Sequence, residues 1–302
     1  MKNIEKKSFT LFVEELVAQL KARGKFRTAE TYVATLRSFN GFRGNKDILI
    51  SAINEKVILM YENYLRNVRG VTRNSSSFYM RILRAIYNKA VEAGLAKPRQ
   101  LFKHVYTGVD RTIKRAIPLC TMKKIIALDL SGRPALEKAR DIFLFSFFTR
   151  GMSFVDIAFL KKSNIKNGEL VYCRHKTGQQ LRMRWEKCMS ELVEKHGGSG
   201  SFLLELINEE KSDYYRQYRS ALCLTNSRLK VIGGMVGLST PLTMYVARHS
   251  WASAAHCKRI PLSVIREGMG HDNETTTRIY LASLENAVID KANSKIIKSL
   301  FL

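Results

Sequence analysis

Residues 169–185, ELVYCRHKTGQQLRMRW, form the one stretch of this chain in which apolar and polar side chains alternate as on a strand. Leu170 and Tyr172 alternate with Val171 and Cys173. After the turn sequence HKTG, Leu181, Met183 and Trp185 alternate with Arg182 and Arg184. Successive side chains of a strand point to opposite faces, so this pattern predicts a β-hairpin with a basic tip and a basic return face. Elsewhere the apolar residues recur at intervals of three and four, the period of a helix. The fold class expected is mainly α with a small β-hairpin or sheet.

The helical stripes divide the chain. In FTLFVEELVAQLKAR, residues 9–23, Phe12, Leu16 and Leu20 lie four apart on one face. Gly24 and Thr28 mark a stop and a new start, and Tyr32, Leu36 and Phe39 carry the pattern up to Gly41. Val57, Met60, Tyr61, Tyr64 and Leu65 form the stripe of a third helix. A fourth follows NSSS, with Tyr79, Ile82, Leu83 and Ile86 inward and Arg81, Arg84 and Lys89 on the other face. Gly94 and Pro98 close it. Residues 1–95 are thus read as a compact four-helix domain. Residues 96–118, AKPRQLFKHVYTGVDRTIKRAIP, have no clear period and hold six basic side chains, Lys114 and Arg115 among them. They read as a linker able to cross a phosphate backbone. A mostly helical second domain over 119–302 follows, with Thr121 as the candidate N-cap of its first helix. The very apolar helix at 135–149 is its expected centre.

Charge narrows the partner. The chain has 51 basic and 26 acidic residues, a formal charge of +25. The excess is spread: residues 1–110 hold 20 basic and 9 acidic side chains, and 111–302 hold 31 and 17. Two cationic halves point to a polyanion, nucleic acid first. The five cysteines, Cys120, Cys173, Cys188, Cys223 and Cys257, form no CxxC pair, so reduced thiols are expected rather than a disulfide frame or zinc site. No GxxxxGK[ST] or GxGxxG motif suggests a bound nucleotide. The longest apolar run, IFLFSFF at 142–148, is too short to span a bilayer, and MKNIEKKSFTLFVEELV does not have the pattern of a signal peptide. The expected place is the cytoplasm or nucleoid, with no membrane partner.

Several polar residues sit oddly in apolar surroundings. Arg150 ends DIFLFSFFTR, Lys176 lies at the hairpin turn, and Arg248 and His249 interrupt the apolar helix MYVARHSWAS. In GMGHDNETTTRIY, residues 268–280, His271 precedes Tyr280 by nine. Each alone has an ordinary reading: a buried Arg in a structural ion pair, a His satisfied in a core, a Tyr on an apolar helix face. Their joint occurrence, in this order and in so basic a chain, is far less ordinary.

At these residues the chain resembles the tyrosine recombinases, or phage-type integrases. ARHSWAS followed by GMGHDNETTTRIY matches the family's Arg-His-Thr/Ser, Leu/Met-Gly-His and a Tyr nine residues after that His. Lys176 in RHKTG matches the family's hairpin lysine. Two positions depart. Tyr245 stands where the family usually has a His, three residues before Arg248, and Ser153 stands where the first arginine is expected. Arg150, three residues earlier, is read as the replacement, one turn away on the same side if the segment is helical. Both departures occur in the Bacteroides-type subgroup of site-specific recombinases and DNA invertases.

The resemblance implies a SAM-like, core-binding N-terminal domain, a catalytic domain over 119–302 with a C-terminal docking helix, and a specific chemistry. Tyr280 attacks a DNA phosphodiester and becomes a 3′-phosphotyrosine, which a 5′-hydroxyl later reverses without a cofactor or metal. Arg150 and Arg248 clamp the nonbridging oxygens by forked, charge-assisted hydrogen bonds. Lys176 protonates the leaving 5′-oxygen, His271 bonds the same phosphate and Tyr245 positions it; His249 is read as structural. Arg81, Arg84, Lys89, Lys114, Arg115, Arg182 and Arg184 are the candidate DNA-binding residues. The implied partners are double-stranded DNA at specific sites, three further protomers on synapsed DNA and host DNA-bending proteins. A start directly at the four-helix unit, with no arm-binding domain before it, favours inversion between short inverted repeats over integration or excision of a mobile element. A DNA-binding relic and a type IB topoisomerase are the competing readings.

Overall fold

The computed structural model describes residues 7–110, 115–271, 277, 293–294, 296–297 and 299. The chain divides into two compact units, Met1–Thr112 and Ile113–Leu302.

The first unit contains four helices: α1 (Phe9–Ala22), α2 (Phe26–Phe42), α3 (Glu55–Asn63) and α4 (Arg73–Glu92). The starts of α1, α3 and α4 have side-chain caps: Ser8, Asn54 and Thr72 each accept a backbone N–H of the first turn. Phe39 occupies the centre, edge-on to Phe9 at 5.2 Å and to Tyr61 at 5.1 Å. The buried Tyr61 hydroxyl donates to Ser38 Oγ at 2.8 Å, so the ring enters the core without an orphaned polar tip. The helix stripes differ in phase from the sequence reading at α3: Ile58, Tyr61 and Leu65 face inward, and Met60 is exposed. In VILMYENYL, apolar residues occupy more than one face, so periodicity alone leaves the phase open.

The expected linker over 96–118 is corrected in its first half. Ala96, Leu101, Phe102 and Val105 are buried in the core of the first unit. Tyr87 donates to Lys97 O at 2.8 Å. Asn74 bonds the Asp110 backbone in both directions, and Ser77 Oγ donates to Gly108 O. Arg73 stacks over the Tyr106 ring, 3.7 Å from its centroid. These residues lack a period because they form an irregular strap over α4, held by side chains rather than by a backbone ladder.

The second unit contains α5 (Leu119–Ile126), α6 (Pro134–Phe148), α7 (Phe154–Ala158), β1 (Ile165–Lys166), β2 (Glu169–Cys173), β3 (Gln180–Arg184), α8 (Lys187–His196), α9 (Tyr214–Met235), α10 (Met244–Cys257) and α11 (Leu262–Met269). The N-cap of α5 is Pro118, not Thr121, which lies in its first turn. The sheet is antiparallel in the order β1-β2-β3, with Leu170 opposite Met183 and Tyr172 opposite Leu181 on the buried face. The two-residue β1 is too short to show an alternation in sequence.

Helix α6 buries Ile142, Phe143, Leu144 and Phe145 and packs against α8, α9 and α10. Helix α10 is buried on nearly every side, from Met244 through Ala255, which explains its lack of a polar face. Among the described residues, no helix is long and apolar enough to cross a membrane.

Candidate active site

Arg150 stands in a tight turn. Helix α6 ends at Phe148 and α7 begins at Phe154. Between them Arg150 and Gly151 both adopt the left-handed conformation, φ 59° and 73°. The turn is closed by Gly151 N–H donating to Ser146 O at 2.8 Å. Arg150 is therefore not one helical turn from Ser153, and the helical argument for equating them is corrected. A left-handed non-glycine residue costs on the order of 1 kcal/mol. The turn aims Arg150 between α11 and β3: Nη1 donates to Arg182 O at 3.3 Å, and Cδ lies 3.6 Å from where a Cβ on Gly268 would be. Ser153 is occupied elsewhere, donating to Asp156 Oδ2 at 2.6 Å.

Gly151 is required by close approach. A Cβ there would come within 2.7 Å of Arg248 Cα and 2.9 Å of its Cγ. That contact sets α10 directly against the turn. Arg248, only 6% exposed, donates from Nη1 to Gly151 O at 2.7 Å and from Nη2 to Met269 O at 2.6 Å. Nη2 also lies 2.8 Å from His271 Nε2.

The His271 turn follows from its glycine. Gly270, φ 62°, ends α11 in the left-handed conformation, and His271 N–H donates back to Arg266 O at 3.1 Å. An arginine only donates, so Nε2 of His271 accepts and its proton sits on Nδ1. Nδ1 donates to the buried Thr277 Oγ1 at 2.9 Å. Burial, and then the charges of Arg248, Arg174 and Lys176, push the His271 pKa down to about 3. The imidazole is neutral at pH 7.

The hairpin brings in a residue that sequence reasoning missed. Leu170, Tyr172 and Arg174 are all buried on one face, and Arg174 Nη1 donates to Gly270 O. The signal was present: the alternation that places Leu170 and Tyr172 inward also places Arg174 inward. Lys176, two residues on, is exposed at the tip. His175 N–H donates to Asp156 Oδ1 at 2.7 Å, so the buried Asp156 ties α7 to the hairpin.

The structure thus brings Arg150, Arg248 and His271, with Arg174, onto one segment, Gly268–His271. Among the described residues neither Arg150 nor Arg174 is paired with a carboxylate. Tyr245 is 59% exposed on α10, and its ring meets the buried His249 edge-on at 4.4 Å. Tyr280 and Lys114 lie outside the described residues. Of the other candidate DNA contacts, Arg81, Arg84 and Lys89 are exposed on α4, Arg115 is exposed ahead of α5, and Arg182 and Arg184 are exposed on β3. Arg182 pairs with Glu169 at 3.2 Å. Of the C-terminal stripe, Ile296 and Ile297 are described and exposed; Ala287, Ile289 and Ala292 are outside the described residues. Among the described residues no group of three His, Cys, Asp or Glu side chains is placed to hold a metal.

Such a cluster offers fixed donors to an anion. Three comparisons with known proteins follow from this fold. Residues 8–104 match the phage integrase SAM-like domain. No curated protein sequence matches the chain. Among solved structures, the chain is similar to a lambda integrase dimer bound to a COC′ core site. The identity is 17%, over 91% of this chain and 77% of that one, with a TM-score of 0.66. A lambda integrase tetramer bound to a Holliday junction gives 17% identity, 91% and 78% coverage and a TM-score of 0.65. The Tn1549 transposon integrase in complex with a circular intermediate DNA gives 14%, 89% and 94%, and 0.62. The chain therefore has the fold of the tyrosine recombinases, mostly helical with a small three-stranded antiparallel sheet, and residues 8–104 of its first unit match the phage integrase SAM-like domain.

Proposed function

We propose that this protein is a site-specific DNA recombinase that cuts and rejoins duplex DNA through a 3′-phosphotyrosine at Tyr280. The observation that carries the reading is the convergence of Arg150, Arg248 and His271 on one turn, nine residues before that tyrosine. The phenolate oxygen of Tyr280 attacks phosphorus, the bond to the 5′-oxygen breaks, and Lys176 supplies the proton which that oxygen takes up. Reversal by another 5′-hydroxyl returns the phenol and reseals the strand. Arg150 and Arg248 hold the nonbridging oxygens as charge grows on them, in a site whose donors are already oriented. The neutral His271 accepts from Arg248 in the free protein; a phosphate beside it favours its charged, donating form. Tyr245, exposed on α10, positions the phosphate through its hydroxyl.

The first unit, with its SAM-like match, is read as the core-binding domain, and the second as the catalytic one. Arg81, Arg84, Lys89, Lys114, Arg115, Arg182 and Arg184 contact the DNA backbone. The lambda integrase tetramer on a Holliday junction supports assembly of four protomers on paired sites. The C-terminal segment docking into a neighbour is part of that proposal. Ser153 and Tyr245 at the two departing positions, with Arg150 in place of the usual first arginine, favour the Bacteroides-type subgroup, and with it inversion between short inverted repeats, in the bacterial cytoplasm. Integration or excision of a mobile element is the second reading, favoured by the likeness to the Tn1549 transposon integrase.

A suicide substrate nicked beside the site tests the chemistry. Wild-type protein is expected to form a covalent protein–DNA adduct; Tyr280→Phe is expected to bind the same DNA and form none. A protein that binds the DNA but never forms an adduct would leave the relic reading in its place. Sequenced junctions at the native locus separate inversion from integration.

A further inference from the structure

We infer that Arg174 is a positioning residue, which latches the Lys176 hairpin to the turn carrying His271 and so sets the lysine at the leaving oxygen. The inference rests on the recombinase reading above, and names how one of its parts is held in place.

Lys176 has a problem that the site's arginines do not. Arg150 and Arg248 project from a turn and a helix fixed by close packing. Lys176 projects from the exposed end of a hairpin, in the loop between Cys173 and Gln180. A general acid must reach hydrogen-bond distance of one oxygen, and a loop end of this kind samples many positions. Something has to fix it.

Arg174 is built for that task. Its backbone closes the loop: its N–H donates to Gln179 O at 2.8 Å, and its C=O accepts from Gly178 N–H at 2.8 Å. Its side chain runs inward, 8% exposed, and donates to Gly270 O, the residue before His271. Beside it, a Cβ on Gly270 would come to 2.9 Å of Leu181 Cδ1 and 3.2 Å of Gln179 Oε1, so the loop packs tightly on this turn. A second tie from the loop, His175 N–H to Asp156 Oδ1, holds it to α7. Lys176 is thus adjacent to one anchor and two residues from the other. A buried guanidinium whose partner is a carbonyl is an expensive way to stabilise a hairpin, since an apolar side chain of similar volume packs there without desolvating a charge. A latch with reach and direction is what the arginine adds.

The test removes the need for the proton. In a DNA substrate with sulfur in place of the bridging 5′-oxygen, the leaving group is a thiolate, which departs without a general acid because thiols ionise near pH 8.5. Cleavage rates are measured on oxygen and sulfur substrates for wild type, Arg174→Ala, Lys176→Ala and Arg248→Ala, with DNA affinity measured alongside. Arg174→Ala is expected to slow oxygen cleavage at least about 30-fold. It is expected to keep DNA affinity within about threefold and to cleave the sulfur substrate within about threefold of wild type. Lys176→Ala should share that rescue, and Arg248→Ala should not. An Arg174→Ala defect equal on both substrates would overturn the inference, assigning Arg174 to the phosphate itself. So would an unchanged oxygen rate. Should Arg174→Ala fail to fold, Arg174→Met keeps the aliphatic stem and is measured in its place. Failure of both to fold would overturn the inference too, since Arg174 would then be structural. A wild-type protein that cleaves neither substrate removes the recombinase reading and this inference with it.

Discussion

Two groups of charged side chains lie inside the second unit, and they are closed in different ways. Asp141 on α6, 2% exposed, receives Arg140 Nε at 2.8 Å, Lys195 Nζ at 3.0 Å and His196 Nε2 at 2.7 Å. Lys195 also reaches Glu137 at 2.6 Å. Burial alone would raise the Asp141 pKa; the hydrogen bonds from His196, Arg140 and Lys195 outweigh it and hold the carboxyl well below its usual range. That group has its anions and cations in contact, and it pins α8 to α6. Around His271 the described partners of the cations are backbone carbonyls and a neutral imidazole: Arg150 on Arg182 O, Arg174 on Gly270 O, Arg248 on Gly151 O, Met269 O and His271. The first arrangement supports the fold. On the function proposed above, the second keeps oriented donors in place for an incoming phosphate, which is what a phosphoryl-transfer site requires.

The largest effect should come from cutting each group once. Arg248→Ala is expected to lower strand cleavage by about 10²–10³, the usual loss for one such donor. Asp141→Asn is expected to leave the cleavage rate of folded protein unchanged but to destabilise by about 1–3 kcal/mol, because Arg140, Lys195 and His196 lose the buried carboxylate that they share. Cleavage kinetics and denaturant unfolding of both variants read this out. A dead but stable Asp141→Asn would erase the distinction between the groups.

Acid should separate them next. The unfolded chain protonates His271 near 6.5 and the folded chain only near 3. Stability from this residue is therefore whole above about pH 6.5 and falls as pH drops toward 3, by about 2 kcal/mol at pH 5. Asp141 is depressed in the folded state, so its contribution is present above the ordinary carboxylate pKa of about 3.9 and is lost as pH falls through its lowered one. Unfolding free energies between pH 7 and 5 should flatten in His271→Gln and keep the wild-type slope in Asp141→Asn.

The smallest effect concerns the strained turn. Arg150→Ala and Arg150→Gly should both slow cleavage at least about 100-fold. The glycine variant should be the more stable of the two by about 1 kcal/mol, because only glycine adopts φ 59° freely. Equal stabilities would mean that the turn carries no strain, and the case for Arg150 being held there for function would weaken.

The mainly helical fold with one small sheet was legible in sequence, since it depends on local period. Helices α6 and α10 announce themselves by apolar runs, and the hairpin by alternation around HKTG. What was not legible depends on residues far apart in the chain. Leu101, Phe102 and Val105 read as a linker because a strap held by Asn74 and Ser77 has no period. The left-handed turn at Arg150 is set by contact between Gly151 and Arg248, 97 residues later. Of the site, Arg150, Arg248 and His271 came from an order of motifs, and the structure brings them together. Arg174 is legible only by carrying the alternation of Leu170 and Tyr172 one step past the strand, into a loop where a basic residue would ordinarily face solvent.

On the proposed function, the cluster around His271 serves a phosphodiester that becomes joined to Tyr280. The most direct measurement is the mass of the tryptic peptide left on DNA after reaction with a nicked suicide substrate and nuclease digestion. A peptide containing Tyr280 with a 3′-linked nucleotide is expected, absent from Tyr280→Phe although that variant binds the same DNA. A nucleotide found on any other residue, or an adduct that persists in Tyr280→Phe, would contradict it.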